Sequence, residues 1–415
     1  LLEKKQVFEG IKVADFTWSI AGPMATRELA EHGAMVIRVE SHKYPCPMRR
    51  AGSMMGRVAS INGSFVFANF NTNKLGISLD LSKPKGQEAA RRLVKWADIV
   101  GESFGPGVIA RFGLDYESVR KIKPDIIYFS TSLQGQYGPH SRYQAWGWQA
   151  AALAGFYEAV GWPDRQPTGI PGAYTDQIAP YYTVCALVAA LDYRRRTGEG
   201  MYLDQAQFEV GVTFAEPSLL DYAVNGRIMK RRGNRDPYAA PHGSYRCQGD
   251  DQWCVIAVAT AQEWDSFCEV IGNPAWTMDP KFASLPARRE NENELDSLVE
   301  EWTVRRSAPD VMRMMQAKGV PAGVVQKNED LFNDPQLRHR ASHQRLAHPE
   351  LGSVLHQKPA YRLSRTPCHL VSTGPMLGEH NEHVYKEILG FSDDEIADML
   401  IEGAITTEAD LPGAR

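Results

Sequence analysis

The opening third of the chain alternates short apolar runs with helical ones, and that rhythm leaves few folds open. Ile11–Phe16 reads as a short buried strand. The turn Ser19–Pro23 follows, and Met24–His32 reads as a helix with Ala25, Leu29 and Ala30 inward, closed by Gly33. Ala34–Glu40 is the next strand. Strand, helix and strand at this spacing make a βαβ unit, the building block of parallel sheets. The pattern recurs. Ile77–Leu81 reads as a strand, and Pro84–Ala97 as a helix with proline near its first position, where the missing N–H costs little. Further strands start at Asp98 and span Asp125–Ser130. The fold class is therefore α/β, with a Rossmann-like, doubly wound large domain.

At 415 residues, 43% hydrophobic and 23% charged, the chain has globular composition and is too long for one small core. After about residue 225 the character shifts. Ser244–Cys247 and Trp253–Val258 read as paired strands around the polar turn Gly249–Asp251. Helices are predicted at Ala261–Ile271, Glu292–Trp302 and Pro309–Lys318. This gives a large domain over 1–224, a smaller α+β domain over 225–325, and a C-terminal part, 326–415, that returns to the large domain. That last part ends in the amphipathic helices Glu382–Leu389 and Asp393–Glu402. A net charge of −4 supplies no global basic field, so nucleic acid is not an expected partner. The run Lys230–Arg235 reads as a solvated linker or a small-anion contact. Six cysteines are scattered without a Cys-x-x-Cys pair, which fits a reduced, cytoplasmic setting. No apolar run is long enough to span a bilayer, and the first residues show no n-h-c pattern, so no signal peptide is expected. The chain begins without Met, so residues of the gene product are expected to precede Leu1.

One carboxylate stands out. Asp176 lies at the entrance of a long apolar helix, Ile178–Tyr193, expected to be buried on most sides, with Pro180 in its first turn. There it faces unpaired N–H groups and the positive end of the helix dipole, which keeps it ionised and makes it a candidate nucleophile. The plainer alternative is a helix N-cap. The turn after the first strand, Trp18–Pro23, lacks the G-x-G-x-x-G of dinucleotide enzymes, so a dehydrogenase is the weakest reading. Phe104–Gly113 follows a strand end, where open α/β sheets bind ligands. Arg111 is either a phosphate contact or a solvated arginine, and Lys74 a phosphate contact or a loop lysine. The histidines show no metal-ligand spacing, and no G-x-S-x-G elbow is present.

An ordered set of short motifs resembles the class III CoA-transferases, the group that includes formyl-CoA, crotonobetainyl-CoA and benzylsuccinate CoA-transferases. The set runs from Asp15-Phe16-Thr17 with Ala21-Gly22-Pro23 through Glu102–Gly107, Gly135–Pro139 and Arg196–Gly200 to Gly319–Gly323 and Leu377–His380. The resemblance covers nearly the whole chain. It implies that Asp176 is the covalent nucleophile and that CoA lies near Ser19, Ile20, Arg38, Asn73, Lys74, Phe104 and Arg111. It also implies an interlocked homodimer. CoA thioester enters as substrate, so no permanently bound cofactor and no metal are expected. The function implied is transfer of CoA from a donor such as succinyl-CoA to an organic acid, through mixed anhydrides and an aspartyl-CoA thioester.

Departures from the family pattern bear on the acceptor. Where many members read Tyr-Asp before a Gln-Ala pair, this chain reads Ala145-Trp146-Gly147-Trp148-Gln149-Ala150. Trp18, Trp146 and Trp148 suggest an aromatic-acid pocket, or else they are core tryptophans. Gln177 is a candidate backbone donor near the nucleophile, and His242 a candidate cover of the site. An acyl-CoA racemase of the same superfamily is the nearest rival, but it needs a His where Trp146 stands. A subunit of a heteromeric CoA-transferase, beside a related chain, is the other alternative.

Overall fold

The computed structural model describes residues 5–51 and 60–406. The alternating strands close into one six-stranded parallel sheet: β1 Lys12–Phe16, β2 Met35–Glu40, β3 Leu75–Ser78, β4 Ile99–Glu102, β5 Ile127–Ser132 and β6 Met201–Ala206. Their spatial order is β3-β2-β1-β4-β5-β6. Parallel sheets are buried on both faces, so their strands read as near-continuous apolar runs. One face sets Phe16, Ile37, Ile77 and Val100 against Leu93 and Val94 of the helix Pro84–Trp96. The other sets Val13, Val36, Ile99 and Ile127 against Leu29 and Leu187. The chain reverses direction across the sheet between β1 and β4, which makes their C-terminal ends the topological switch point.

β6 was not anticipated, because it is an edge strand and only Ala206 is fully buried. Its apolar signal is correspondingly weak. It docks closely at Gly200, where a Cβ would come 2.0 Å from the Ile126 carbonyl oxygen.

The helix that carries Asp176 spans Tyr174–Thr197 and stops at Gly198, whose φ of 78° is left-handed. It begins earlier than the periodicity suggested, so Pro180 lies inside the helix. There it withholds the N–H that would bond the Asp176 carbonyl. The expectation of burial on most sides is corrected: Thr183, Leu187 and Ala190 are buried, whereas Tyr181, Tyr182 and Val188 are exposed. One face packs on the sheet and the other is apolar but uncovered.

Contacts divide the chain into two units. The first comprises 1–156, 169–227 and 339–415, and the second 157–168 with 228–338. The second unit therefore includes 157–168, a segment the sequence-derived span 1–224 does not separate, and it continues past 325. It is built on an antiparallel sheet of β7 His242–Arg246, β8 Trp253–Ala257 and β9 Ala322–Val324. The helices Ala261–Ile271, Glu292–Thr303 and Ala308–Gln316 enclose Tyr245, Ile256, Phe267, Leu295 and Val311. The basic run is paired inside this unit: Arg231 meets Glu158 at 2.7 Å and Arg235 meets Asp296 at 2.5 Å. In the first unit the returning C-terminal part carries the hairpin β10 His343–His348 and β11 Gly352–Gln357. It ends in the helix Asp393–Glu402, with Tyr385, Met399 and Ile405 in the core beneath the sheet.

All six cysteines are free thiols. Among the described residues no helix is long and apolar enough to cross a membrane, and no cluster of His, Cys, Asp and Glu is placed to hold a metal ion.

Candidate active site

The segments leaving the C-terminal ends of β1, β4, β5 and β6 open onto one cavity of about 350 Å³. Trp18, Ser19 and Gly22 come from the loop and helix start after β1, Ser103 and Phe104 from the loop after β4, and Gln207 from the residue after β6. The two switch-point loops are tied together. The Trp18 N–H donates to Ser103 Oγ at 2.6 Å, and the Trp18 and Phe104 rings lie 5.6 Å apart. Ser19 takes a left-handed φ of 61°. The Phe104 N–H donates to Glu102 Oε2 at 2.7 Å, and burial pushes the Glu102 carboxyl up to about 7.

Asp176 lines the same cavity at only 6% exposure. It lies in the first turn of its helix, while the N-cap position is Ala173, so it is not the cap. The Gln207 side chain and the Gly147 backbone N–H, both uncharged, face its carboxylate and favour its ionised form. Burial raises its pKa from 3.8 to about 6. Loss of water outweighs the stabilising donors, so the helix terminus alone does not set the pKa. The group is still mostly ionised at neutral pH, and more basic than an exposed aspartate.

The surroundings hold this carboxylate in one place. Thr175 Oγ1 donates to the Gly147 carbonyl at 3.0 Å and lies 3.4 Å from Gln207 Oε1. A Cβ at Gly147 would stand 2.6 Å from Asp176 Oδ2, so only glycine fits there. One turn on, Gln205 accepts from Thr131 Oγ1 at 3.0 Å and Thr183 Oγ1 at 2.6 Å. It also donates to the Ala179 carbonyl at 3.0 Å, fastening the helix to β5 and β6.

The cavity gathers Asp176, Trp18, Ser19, Phe104 and Trp146 from the sequence-derived candidates. It does not gather the others. Ile20 packs on the cluster of Cys46, Met48 and Phe67. Arg38 and Lys74, expected beside CoA, are 0% and 1% exposed. Arg38 faces Asp15 at 3.7 Å and Glu40 at 3.9 Å and donates to the Thr17 carbonyl. The Lys74 ammonium has four oxygens within hydrogen-bond distance for its three N–H groups: Asp15 at 3.0 Å, Thr26 at 2.8 Å, Asn71 at 3.0 Å and the Pro23 carbonyl at 2.9 Å. These two side chains thus brace the β1 loop from beneath. Asn73, at φ 60°, is committed to the backbone of His369, Val371 and Ser372. Arg111 is exposed on the turn Ile109–Phe112. Gln177 and Trp148 are exposed and do not line the cavity. His242 belongs to the second unit, with Nδ1 2.5 Å from the Asn234 carbonyl. Gln207 was missed in the sequence because β6 was missed, and its place one residue beyond a parallel strand's C-terminus is the signal that would have found it.

Comparison with known proteins identifies the family and the fold. The model of CoA-transferase family III matches residues 8–381. The chain is 32% identical over 389 residues to succinyl-CoA–D-citramalate CoA-transferase of Chloroflexus aurantiacus, covering 94% of this chain and 96% of that one. It is 31% identical over 393 residues to succinate–glutarate CoA-transferase of Agrobacterium fabrum, covering 93% and 96%. A CAIB/BAIF family protein from Brucella suis superposes with a TM-score of 0.85 at 30% identity, covering 92% of this chain and all of that one.

Proposed function

This chain belongs to CoA-transferase family III and is a CoA-transferase, and we propose that it works through Asp176 as a covalent nucleophile. The observation that carries this is a buried carboxylate, held by uncharged donors, facing the cavity at the switch point of the sheet. Acid exchange has to conserve the thioester's energy, and a carboxylate does so by forming acyl intermediates of comparable reactivity. Asp176 attacks the donor thioester, giving a mixed anhydride and CoA thiolate. The thiolate attacks the aspartyl carbon, releasing the donor acid and leaving an aspartyl-CoA thioester. The acceptor carboxylate then displaces the thiolate to form a second anhydride. Finally the thiolate attacks the acceptor's acyl carbon, and Asp176 is regenerated.

Two relatives whose names carry succinyl-CoA or succinate support succinyl-CoA as donor. Trp18, Phe104 and Trp146 on the cavity wall favour an acceptor with an apolar, aromatic remainder. None of the described residues lining the cavity is a histidine, so the racemase reading lacks its second base.

We further propose a homodimer of the interlocked kind. The helix Glu216–Asn225 buries no residue within its own chain, yet it carries Leu219, Leu220, Tyr222 and Val224, all at least 50% exposed.

The deciding experiment mixes the protein with succinyl-CoA and a panel of acids that includes aryl-substituted succinates, then reads the CoA products and the protein mass. A new acyl-CoA with an adduct on the Asp176 peptide is the expected result. Full exchange by Asp176→Ala would overturn the mechanism. Deuterium washing into an acyl-CoA without exchange would restore the racemase.

A further inference from the structure

The four covalent steps differ in where negative charge collects. In the first and last, thioester or anhydride carbon of the substrate is attacked, and the oxyanion belongs to the substrate. In the middle two, the carbon attacked is Cγ of Asp176. When CoA thiolate adds to the anhydride, the C–S bond forms and the carbonyl electrons move to the Asp176 oxygen. Collapse then expels the donor carboxylate. When the acceptor carboxylate adds to the thioester, a C–O bond forms, the same oxygen takes the charge, and collapse expels thiolate. That oxygen needs donors that are already in place.

We infer that Gln207 and the Gly147 N–H, which hold the resting Asp176 carboxylate, are the oxyanion donors for these two steps at the aspartyl carbon. The inference rests on Asp176 being the nucleophile. Both donors face the carboxylate, and Gly147 stands so close to it that a Cβ there would lie 2.6 Å from Asp176 Oδ2. Gln207 is nine-tenths buried and lines the cavity, with its Oε1 3.4 Å from Thr175 Oγ1. Gly147 is fixed by the Thr175 hydroxyl on its carbonyl and by the lack of room for any side chain. A neutral donor suits the whole cycle. It leaves the resting carboxylate free to attack, where a cation would stabilise it. In the acylated enzyme the Asp176 carbonyl is uncharged, so the same hydrogen bonds strengthen as the tetrahedral oxyanion forms. Stabilisation that grows toward the transition state is what accelerates a step.

The test is rapid-quench mass spectrometry of the whole protein with succinyl-CoA, which separates the succinyl adduct of step one from the CoA adduct of step two. Gln207→Leu keeps the size and removes the donor. Its CoA adduct should form about 10²–10³-fold more slowly, while the succinyl adduct accumulates relative to wild type. Gln207→Glu has a donor only when that carboxyl is protonated. In the succinyl enzyme Asp176 is no longer a carboxylate, so the introduced carboxyl gains its proton as pH falls, and conversion of the succinyl adduct to the CoA adduct should recover at lower pH in this variant but not rise in wild type. An unchanged CoA-adduct rate in Gln207→Leu overturns the inference. So does an equal fall in both adducts, which would make Gln207 only a support for the resting carboxylate. If the wild type forms neither adduct while exchanging acids, the nucleophile reading itself fails, and that outcome is distinguishable from the other two.

Discussion

The role proposed for Asp176 sets two physical demands against each other: a nucleophilic carboxylate has to be ionised to attack, and it has to be dry and lightly held to be reactive. Burial raises its pKa from 3.8 to about 6, a difference on the order of 3 kcal/mol between protonated and ionised forms. The folded protein therefore holds this proton more tightly than the unfolded chain does. Stability is lost as pH rises from about 4 to about 6 and does not change further from this group above that. Asp176→Asn removes the buried charge but keeps the size. Thermal or denaturant unfolding at neutral pH should show the variant more stable, by up to about 3 kcal/mol, while CoA exchange is abolished. A variant less stable than wild type would contradict the assigned burial cost. In the wild type, kcat/KM for exchange should fall about tenfold per pH unit below about pH 6, as the nucleophile is protonated. At this scale the sequence pointed to Asp176 through its place at a helix entrance. It could not supply the pKa, since desolvation depends on residues such as Gly147 and Gln207, distant in the chain.

Secondary-structure elements set the reach of these groups, and close packing at two glycines makes that testable. A Cβ at Gly147 would meet Asp176 Oδ2 at 2.6 Å and Cγ at 2.8 Å. Gly147→Ala should therefore displace the carboxylate and lower exchange by about 10²-fold, the scale of a 1 Å misplacement, with little loss of secondary structure by circular dichroism. Gly200 is different, because the obstruction is backbone: the Ile126 carbonyl oxygen would lie 2.0 Å from a new Cβ. Gly200→Ala should cost about 1–3 kcal/mol or more of stability and shift β6, carrying Gln207 with it. Wild-type unfolding of Gly200→Ala in urea would refute this close docking. Most elements were legible from periodicity and caps. The helix Pro84–Trp96 begins at its proline, and Ala261–Ile271 is opened by the Thr260–Glu263 capping box and closed by Gly272. β6 was not legible, because an edge strand with one residue fully buried carries little apolar pattern. The helix Glu216–Asn225 was missed as well, since its apolar residues face no core of its own unit.

The whole molecule adds what no single element contains. Asp15, Arg38 and Lys74 come from three adjacent strands or their edges and form a buried ionic network under the β1 loop. Lys74→Met would leave Asp15 short of a partner in a site closed to water. The expected loss is about 3–5 kcal/mol in chemical denaturation, accompanied by weaker substrate binding as the Trp18–Gly22 segment loosens. The uncovered apolar face of Glu216–Asn225 belongs to the same scale. If a second copy covers it, Leu220→Glu should shift the protein from dimer toward monomer in sedimentation velocity. A wild type that sediments as a monomer at micromolar concentration would sink the proposed dimer.

The sequence by itself determined the parallel α/β architecture, two of the second unit's three strands with its three long helices, and the family. Those follow from local periodicity, turn chemistry and ordered motifs, each written within a few dozen consecutive residues. Tertiary structure alone decided which polar side chains face the cavity. Arg38 and Lys74 carry charges that suit a phosphate, yet the sheet closes over them and pairs them with Asp15. Gln207, unremarkable in the sequence, is delivered to Asp176 by a sixth strand. Burial and partnership are set by contacts between distant segments, and no local pattern encodes them.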